Sequence, residues 1–156
     1  MECRRFDELT GTEVYEILKA RSAVFMMEQK IFYLDMDGID YKSIHIFEQG
    51  TDGRVTAYLR LFPSEERPEA ARIGRVLTMD RGLGNGRKLL CAAEEYALRN
   101  GYSEIVLDAQ VQTVRFYQKC GYEVISKEFI EAGIPHVQMR KVLSDAAVMA
   151  RNGETQ

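Results

Sequence analysis

The spacing of apolar residues in the first half of the chain predicts a helix followed by a β-hairpin. Thr10 and Glu13 form the S/T-x-x-E pattern of a capping box, and apolar residues then recur at helical spacing, which predicts a helix over 11–28. Two alternating runs, SIHIFEQ and RVTAYLRLF, flank a glycine-containing turn at 50–53 and predict a hairpin. Residues 2–6 fit a short first strand.

The second half alternates between strand and helix patterns. Strands are predicted at 71–78, at EIVLDA, and at 122–128 and 135–142, while helices are predicted from the glycine segment to Asn100–Gly101 and over 112–120. Residues 144–156 are predicted to be a frayed tail. This order predicts one mixed α/β domain over 1–143, with a twisted sheet of about six to seven strands and helices on both faces.

Charge and composition exclude several classes of partner. The chain has 156 residues and a formal net charge of -3, so it lacks the broad positive field that attracts nucleic acid or an anionic membrane. Nowhere do about 18 apolar residues follow one another, which predicts a cytoplasmic protein without a membrane partner. Cys3, Cys91 and Cys120 are widely spaced and predict reduced, mostly buried thiols.

The stretch RVLTMDRGLGNGRKLL, residues 75–90, joins a predicted strand to a predicted helix through three glycines. It is not a dinucleotide fingerprint, since Arg87 stands where the third glycine belongs, nor a Walker loop, since Leu89 follows Lys88. What remains is an unobstructed backbone at a helix N-terminus, where unpaired N–H groups and the helix dipole favour an anion. The alternative is that the glycines only mark a turn.

Two motifs resemble those of the GNAT superfamily of N-acetyltransferases. Arg81, Gly84 and Gly86 match its R-x-x-G-x-G/A signature, and FYQKCGYE (116–123) is similar to its F-Y-x-K-x-G-F/Y-x motif. Further stretches, RSAVFMMEQKIFYLDMDGID and EAGIPH, resemble the ElaA-like branch of that superfamily. The linker between Thr78 and Arg81 is about two residues shorter than the usual one in the family.

The resemblance implies a GNAT-type fold and an acetyl-CoA-dependent N-acetyltransferase that acts on a primary amine of a small molecule by direct attack. The loop would hold the CoA pyrophosphate, and the strand before it would pair with the pantetheine arm. The predicted cofactor-binding residues are Val76, Leu77, Thr78, Arg81, Gly82, Leu83, Gly84, Asn85, Gly86, Arg87, Gln110 and Tyr117.

The resemblance also assigns Tyr117 as the general acid that protonates the departing thiolate. The alternative is that Phe116 and Tyr117 are core aromatics, as we expect for Phe116. A backbone N–H around Leu77 is predicted to steady the oxyanion. No base stands out from the sequence; the candidates are Glu28, Asp108, Glu131 and His136, of which Glu28 and His136 enter the predicted catalytic set.

Acceptor-side residues are predicted from polar interruptions of apolar strands, for Arg60 and Arg75, and from the ElaA-like resemblance, whose G-I-P-H motif implies that His136 lines the acceptor pocket. Arg60 and Arg75 could hold an acceptor carboxylate, although solvent-facing alternation explains them about as well. The full predicted set is Phe25, Glu28, Arg60, Arg75 and His136.

The acidic turn LDMDGID lacks the glycine and glutamate spacing of an EF-hand loop, so no metal is predicted. We expect its negative charge to suit a cationic amine.

Two other functions fit the same motifs. An acyl-CoA-binding sensor would keep the loop without turnover, and a peptide or protein N-acetyltransferase would use a larger acceptor. A homodimer through exposed strand ends such as 135–142 is also possible on pattern alone.

Overall fold

The structure is a computed structural model that describes residues 1–145. The described chain contains eight strands: β1 Glu2–Arg5, β2 Ile44–Gln49, β3 Val55–Pro63, β4 Ala70–Thr78, β5 Glu104–Gln110, β6 Glu123–Val124, β7 Phe129–Glu131 and β8 Ile134–Val142. Its three α-helices are α1 Gly11–Arg21, α2 Asn85–Arg99 and α3 Val114–Lys119. Short 3₁₀ turns lie at Phe6–Glu8, Ile39–Lys42 and Val111–Thr113. The predicted mixed α/β class is confirmed.

These elements belong to two compact units. The first comprises Met1–Phe62 and Gly74–Leu89, and the second comprises Pro63–Ile73 and the chain from Leu90 onward. β4 contributes its second half to the first unit and its first half to the second. The single-domain prediction for 1–143 stays a prediction, and the predicted tail lies outside the described residues except for Ser144 and Asp145.

In the first unit the strand order is β1-β2-β3-β4, with β1–β2 and β2–β3 antiparallel. The predicted capping box of α1 is present, because Thr10 Oγ1 accepts from the Glu13 N–H and the Glu13 carboxylate accepts from the Thr10 N–H. The helix predicted over 11–28 continues to Glu28, but its winding widens to a π-helix over Ser22–Glu28. Apolar side chains form the core of this unit: Ile17, Ala20, Val24, Phe47, Val55, Tyr58 and Leu77, with Leu9 and Phe25 packed against them.

In the second unit the order is β4-β5-β8-β6, and β7 also pairs with β8. β4 and β5 run parallel from Ala70↔Glu104 to Ile73↔Leu107, while β5 and β8 are antiparallel. α2 ends as the sequence predicts: the Tyr102 N–H donates to Ala97 O, and Gly101 takes the left-handed conformation with φ 86°.

The strand predicted over 122–128 is wrong in extent, which accounts for eight strands instead of about seven. β6 ends at Val124 because Ser126 replaces the next backbone partner of β8: its side-chain Oγ accepts from the Gln138 N–H at 2.8 Å. The chain then returns to β8 as the separate short strand β7.

Candidate active site

The glycine loop of the first unit connects β4 to α2. Directly after β4 the Met79 N–H donates to Thr56 O at 2.8 Å, which anchors the start of the loop. Gly82 and Gly84 both have left-handed backbones, with φ 83° and φ 76°, a conformation that costs other residues free energy. The helical hydrogen bonds of α2 begin with the Lys88 N–H donating to Gly84 O at 3.1 Å.

This geometry leaves backbone donors at the start of α2. The N–H groups of Asn85, Gly86 and Arg87 precede the first helical hydrogen bond and therefore have no acceptor within the helix. A Cβ added at Gly82 or Gly84 would meet no atom within 4 Å, so the space above the loop is open. The loop can therefore accept an anionic group, as its sequence predicts.

Two predicted site residues meet beside this loop. Arg81 Nη2 forms an ion pair with Glu28 Oε1 at the end of the π-helix, and both side chains are largely exposed. A carboxylate that accepts from a guanidinium has fewer lone pairs available for an amine proton. The pairing makes Glu28 a weaker candidate for the base and gives it a role in holding Arg81.

A second feature of the first unit is a group of three arginines and three aspartates, which we call the arginine–aspartate cluster: Arg21, Asp35, Asp37, Asp40, Arg60 and Arg75. At its centre Arg21 is fully buried. Its guanidinium donates to Asp35 Oδ2 at 2.8 Å and to Asp40 Oδ1 at 2.7 Å. These bonds fix the irregular segment after α1 against the helix from which Arg21 projects.

Arg60 and Arg75, predicted to hold an acceptor carboxylate, take part in this cluster. Arg60 is only 2% exposed and donates to Asp37 Oδ2 at 2.6 Å, while Arg75 donates to Asp35 Oδ1 at 2.6 Å. Their acceptor role stays a prediction, and it would require an acceptor carboxylate to displace an internal one. The prediction that the turn presents negative charge is wrong, because three guanidiniums balance its three carboxylates.

The cluster keeps Asp37 and Asp40 ionised by lowering the pKa of both carboxyls. The hydrogen bond from Arg60 lowers the pKa of Asp37 to about 2. Burial raises the pKa of Asp40, but the hydrogen bond and charge of Arg21, together with the charge of Arg60, outweigh it and the net pKa is lowered. Arg75 has φ 57°, a strained conformation for a non-glycine residue inside a strand, and its ion pairs with the aspartates help to hold it.

His45 is held by two hydrogen bonds, one of which joins it to Asp40 of the same cluster. Its Nε2–H donates to Asp40 O at 2.8 Å, since a carbonyl can only accept, and its Nδ1 therefore accepts from the Tyr58 hydroxyl at 2.7 Å. Burial is the main cause that lowers the pKa of His45. The histidine is thus a neutral structural residue with both ring nitrogens used.

This arrangement predicts that the protein loses stability in mild acid. Because the pKa of His45 is lower in the folded than in the unfolded chain, the unfolded state binds the proton more readily as pH falls through its ordinary value of about 6.5. Urea unfolding at about pH 7.5 and about pH 5.5 should show a lower free energy of unfolding at the lower pH. His45→Gln should reduce that difference, and an unchanged difference would contradict this account.

In the second unit, Tyr117 projects from α3 into the core. It is 7% exposed and contacts the ring of Tyr122 edge-on at 5.9 Å. Burial, with a smaller contribution from Cys120, raises the pKa of Tyr117, which keeps the phenol protonated at neutral pH. The expectation that Phe116 is a core residue is wrong: it is 38% exposed because the short helix turns the Tyr117 face inward.

Three of the four candidate bases come together in the second unit. His136 on β8 lies opposite Gln110 on β5, and its Nε2 is 3.9 Å from the carboxylate of Glu131 on β7. Asp108, two residues before Gln110, forms an ion pair with Arg72. Burial is the first cause that raises the pKa of Asp108, and the charges of both Glu131 and His136 also act on it.

The remaining predicted residues lie at the ends of these elements. Phe25 is half-buried against the core of the first unit, and Leu77 on β4 is buried there. Val76 and Thr78 flank Leu77 and are partly exposed. In the first unit the structure brings Arg81 to Glu28, and it brings Arg60 and Arg75 together through the shared Asp37. In the second unit it brings Gln110 opposite His136.

The sequence-based predictions do not include the role of Arg21, although this residue occupies an apolar position of the α1 pattern, four residues after Ile17 and three before Val24. An arginine in an apolar stripe was the available signal, because such a charge needs buried partners.

Neither a metal site nor a membrane span is found in the described residues. Across residues 1–145 no three His, Cys, Asp or Glu side chains are grouped so that they could hold a metal ion. No helix within this range has the length and apolar character needed to cross a bilayer.

Comparisons with known proteins agree with this geometry. Residues 46–143 match the family model described as an acetyltransferase (GNAT) domain. Protein ElaA of Escherichia coli is 32% identical over 144 residues, covering 89% of this chain and 94% of ElaA. The crystal structure of E. coli ElaA has a TM-score of 0.82 at 30% identity and covers 90% of this chain and 97% of its own.

Two further structures extend the comparison. An acyl-CoA N-acyltransferase from Pseudomonas aeruginosa has a TM-score of 0.82 at 32% identity, covering 90% of this chain and 97% of its own. An aminoglycoside 6'-N-acetyltransferase complexed with coenzyme A has a TM-score of 0.70 at 14% identity, covering 91% and 97%, and shows likeness of fold alone. The chain therefore belongs to the GNAT acetyltransferase family, in the ElaA-like branch that its motifs predicted, and its fold supports acyl-CoA-dependent acyl transfer.

Proposed function

We propose that this protein transfers an acetyl group from acetyl-CoA to a primary amine of a small molecule. The observation that carries the proposal is the glycine loop, whose open backbone ends at the unpaired N–H groups of Asn85, Gly86 and Arg87. Such donors, together with the positive end of the helix dipole, suit a pyrophosphate. The loop lies in the segment that matches the acetyltransferase model.

Basic side chains on the loop add to this binding. Arg81 and Arg87 are exposed and can supply charge-assisted hydrogen bonds to phosphate oxygens. For Arg81 this means exchanging Glu28 for a phosphate, since the two are paired in the structure. The exposed Leu83 between the two glycines adds apolar surface beside the loop.

The chemistry of amine acetylation determines what else is needed. At pH 7 a lysine-like amine is unfavourably neutral by about 4.6 kcal/mol, whereas the leaving thiol prefers its proton by only about 2 kcal/mol. Removing the amine proton is therefore the larger requirement, and a base or a dry pocket contributes more than an acid. We propose direct attack on the thioester, without an acyl-enzyme.

Tyr117 is proposed as the general acid. When the tetrahedral intermediate collapses, the C–S bond breaks and the sulfur takes the phenolic proton, which solvent then restores. The raised pKa of the buried phenol means that the proton is present at neutral pH. A backbone N–H near Leu77 is proposed to stabilise the oxyanion of the intermediate.

The proposal is tested by incubating the protein with acetyl-CoA and a panel of primary amines, and by following acetylated product and free CoA by mass spectrometry. We expect at least one small amine to be acetylated. Binding of acetyl-CoA without product from any acceptor would favour an acyl-CoA sensor. Turnover of N-terminal peptides alone would favour a peptide or protein N-acetyltransferase. Absence of acetyl-CoA binding would overturn both kinds of acetyltransferase, the one acting on small amines and the one acting on peptides or proteins.

Tyr117→Phe is expected to lower kcat by about 10²-fold while acetyl-CoA affinity stays within a factor of a few, because only the proton donor is removed. Steady-state rates and calorimetric titration measure the two quantities. Tyr122→Phe is the matched control, since it removes the hydroxyl of a second buried tyrosine in the same unit, one that donates to Glu94. An unchanged kcat in Tyr117→Phe would remove this residue from the mechanism.

A further inference from the structure

The four candidate bases differ in what already binds them. Glu28 is paired with Arg81, and because its side chain is 50% exposed, water surrounds much of its carboxylate even when Arg81 turns to a phosphate. Asp108 is paired with Arg72. Glu131 has a side chain 55% exposed, so water surrounds most of its carboxylate. His136 is 8% exposed, and the charged group next to its Nε2 is the Glu131 carboxylate, 3.9 Å away, which does not compete for a proton acceptor's lone pair. This difference singles out His136.

The hydrogen bond of His136 defines its tautomer. Its Nδ1 is 2.7 Å from Ile134 O, and because a backbone carbonyl only accepts, Nδ1 must carry the hydrogen. In the neutral ring Nε2 therefore has no hydrogen and presents a lone pair. This is the form that a general base needs.

The surroundings of the ring are suited to holding a proton for a short time. Phe129 stacks on the imidazole with ring centroids 6.0 Å apart, which fixes its orientation. The Glu131 carboxylate lies 3.9 Å from Nε2, so it stabilises the imidazolium once Nε2 is protonated. The other charged groups facing this region are Asp108 of β5 and its partner Arg72 of β4, which largely balance each other.

We propose that Nε2 of His136 is the general base that deprotonates the acceptor amine, with Glu131 as the residue that stabilises the resulting imidazolium. This inference rests on the proposed acetyl transfer. Nε2 takes one proton from the ammonium, and the freed nitrogen lone pair forms the C–N bond to the thioester carbon. The nitrogen then loses its second proton to solvent as the C–S bond breaks and the amide forms. Sulfur leaves with the proton from Tyr117, and His136 afterwards releases its proton to solvent.

The first test compares acceptors that do and do not need deprotonation. His136→Asn keeps a side-chain N–H that can donate to Ile134 O but removes the basic nitrogen. With an alkylamine we expect kcat to fall by about 10²-fold and the shape of the pH–rate profile to change, because the residue that accepts the amine proton is gone. With an aniline-type acceptor, already neutral at pH 7, the loss should be much smaller.

Glu131→Gln tests the residue that is proposed to stabilise the imidazolium of His136. It removes the negative charge while keeping the side-chain size, so we expect a smaller loss with the alkylamine than in His136→Asn. Circular dichroism and acetyl-CoA titration establish that both variants fold and bind. Equal losses for the alkylamine and the aniline would overturn the assignment of His136 as base.

A spectroscopic test is independent of turnover. The chain has only two histidines, and the structure gives them opposite neutral tautomers: Nε2–H for His45 and Nδ1–H for His136. Nitrogen-15 NMR of the wild-type protein above neutral pH should show one ring of each kind, assigned by the loss of one set in His136→Asn. Two Nε2–H rings would overturn the proposal.

The two tests distinguish a failure of the base assignment from a failure of the proposed acetyl transfer. Acetylation by the wild type with unaltered rate and pH profile in His136→Asn would remove His136 and leave the acetyltransferase proposal intact. Absence of acetylation with every amine, despite an Nδ1–H tautomer at His136, would overturn the proposed function and the base assignment with it.

Discussion

Gly84→Glu is expected to weaken acetyl-CoA binding by at least about 10²-fold, because like charges brought together at a binding site cost several kcal/mol and each tenfold in affinity corresponds to about 1.4 kcal/mol. Gly84 accepts the first hydrogen bond of α2 and lies next to the unpaired N–H groups of that helix. A carboxylate at this position would compete with the pyrophosphate for these same donors. Isothermal titration calorimetry measures the effect.

The left-handed backbone at Gly84 requires a control for strain. Any other residue with φ near 76° costs about 1–2 kcal/mol, which would lower stability whatever the ligand does. Gly53 in the β2–β3 hairpin offers the matched position, since it has φ 82° and a Cβ there also meets no atom within 4 Å. Gly53→Glu should therefore lose similar stability and keep its acetyl-CoA affinity.

Gly84→Gln separates charge from size at the same position. The amide has the dimensions of the carboxylate without its charge, so we expect its acetyl-CoA affinity to lie between wild type and Gly84→Glu. If Gly84→Glu and Gly53→Glu bound acetyl-CoA equally well, the loop would not be the pyrophosphate site. The proposed function would then have lost the observation that carries it.

The elements that the sequence predicts well are those whose signals are local. The capping box at Thr10, the glycine after α2 and the turn of the hairpin each fix backbone geometry within a few residues. The same applies to the β4–α2 loop, because left-handed backbones at Gly82 and Gly84 are a property of glycine itself. The location of the candidate anion site was therefore predictable.

Features that depend on distant partners were predicted poorly. Arg75 meets Asp35 across 40 positions of sequence, so nothing near Arg75 indicated that an internal carboxylate would occupy it. Ser126 ends β6 through a bond to Gln138, twelve residues away. Glu94 is fully buried beside Lys141, 47 residues away, and such pairing is visible only once the fold is known.

The candidate bases depend both on local sequence signals and on contacts between distant residues. The sequence reduces them to four residues by resemblance and position, but only the register of β5 against β8 places His136 opposite Gln110. The bond from Nδ1 to Ile134 O spans just two residues, yet its donor role follows from the rotamer of the ring and not from the sequence. Tertiary packing therefore decides which nitrogen is basic.

Arg21→Met is expected to lower the free energy of unfolding by about 3 kcal/mol, because removing the buried guanidinium leaves the three carboxylates of the cluster with only two guanidiniums, those of Arg60 and Arg75. The guanidinium of Arg21 is fully buried and bonds both Asp35 and Asp40. It also lies over the ring of Tyr58, 5.8 Å from its centroid. Methionine has similar length and fills the space without satisfying either aspartate.

Urea unfolding followed by circular dichroism measures this loss, with midpoint and slope fitted together. Arg99→Met is the control, since Arg99 forms an ion pair with Glu95 but its side chain is 75% exposed. We expect that control to change stability by less than about 1 kcal/mol, as exposed pairs usually do.

A second substitution tests whether the loss arises from the excess carboxylate charge. Adding Asp40→Asn to Arg21→Met leaves two carboxylates facing the two guanidiniums of Arg60 and Arg75, so part of the lost stability should return even though a further native group has been changed. If the double variant were less stable than Arg21→Met, the cost would come from packing around Arg21. The arginine–aspartate cluster would then hold the segment after α1 mainly through side-chain packing and not through charge.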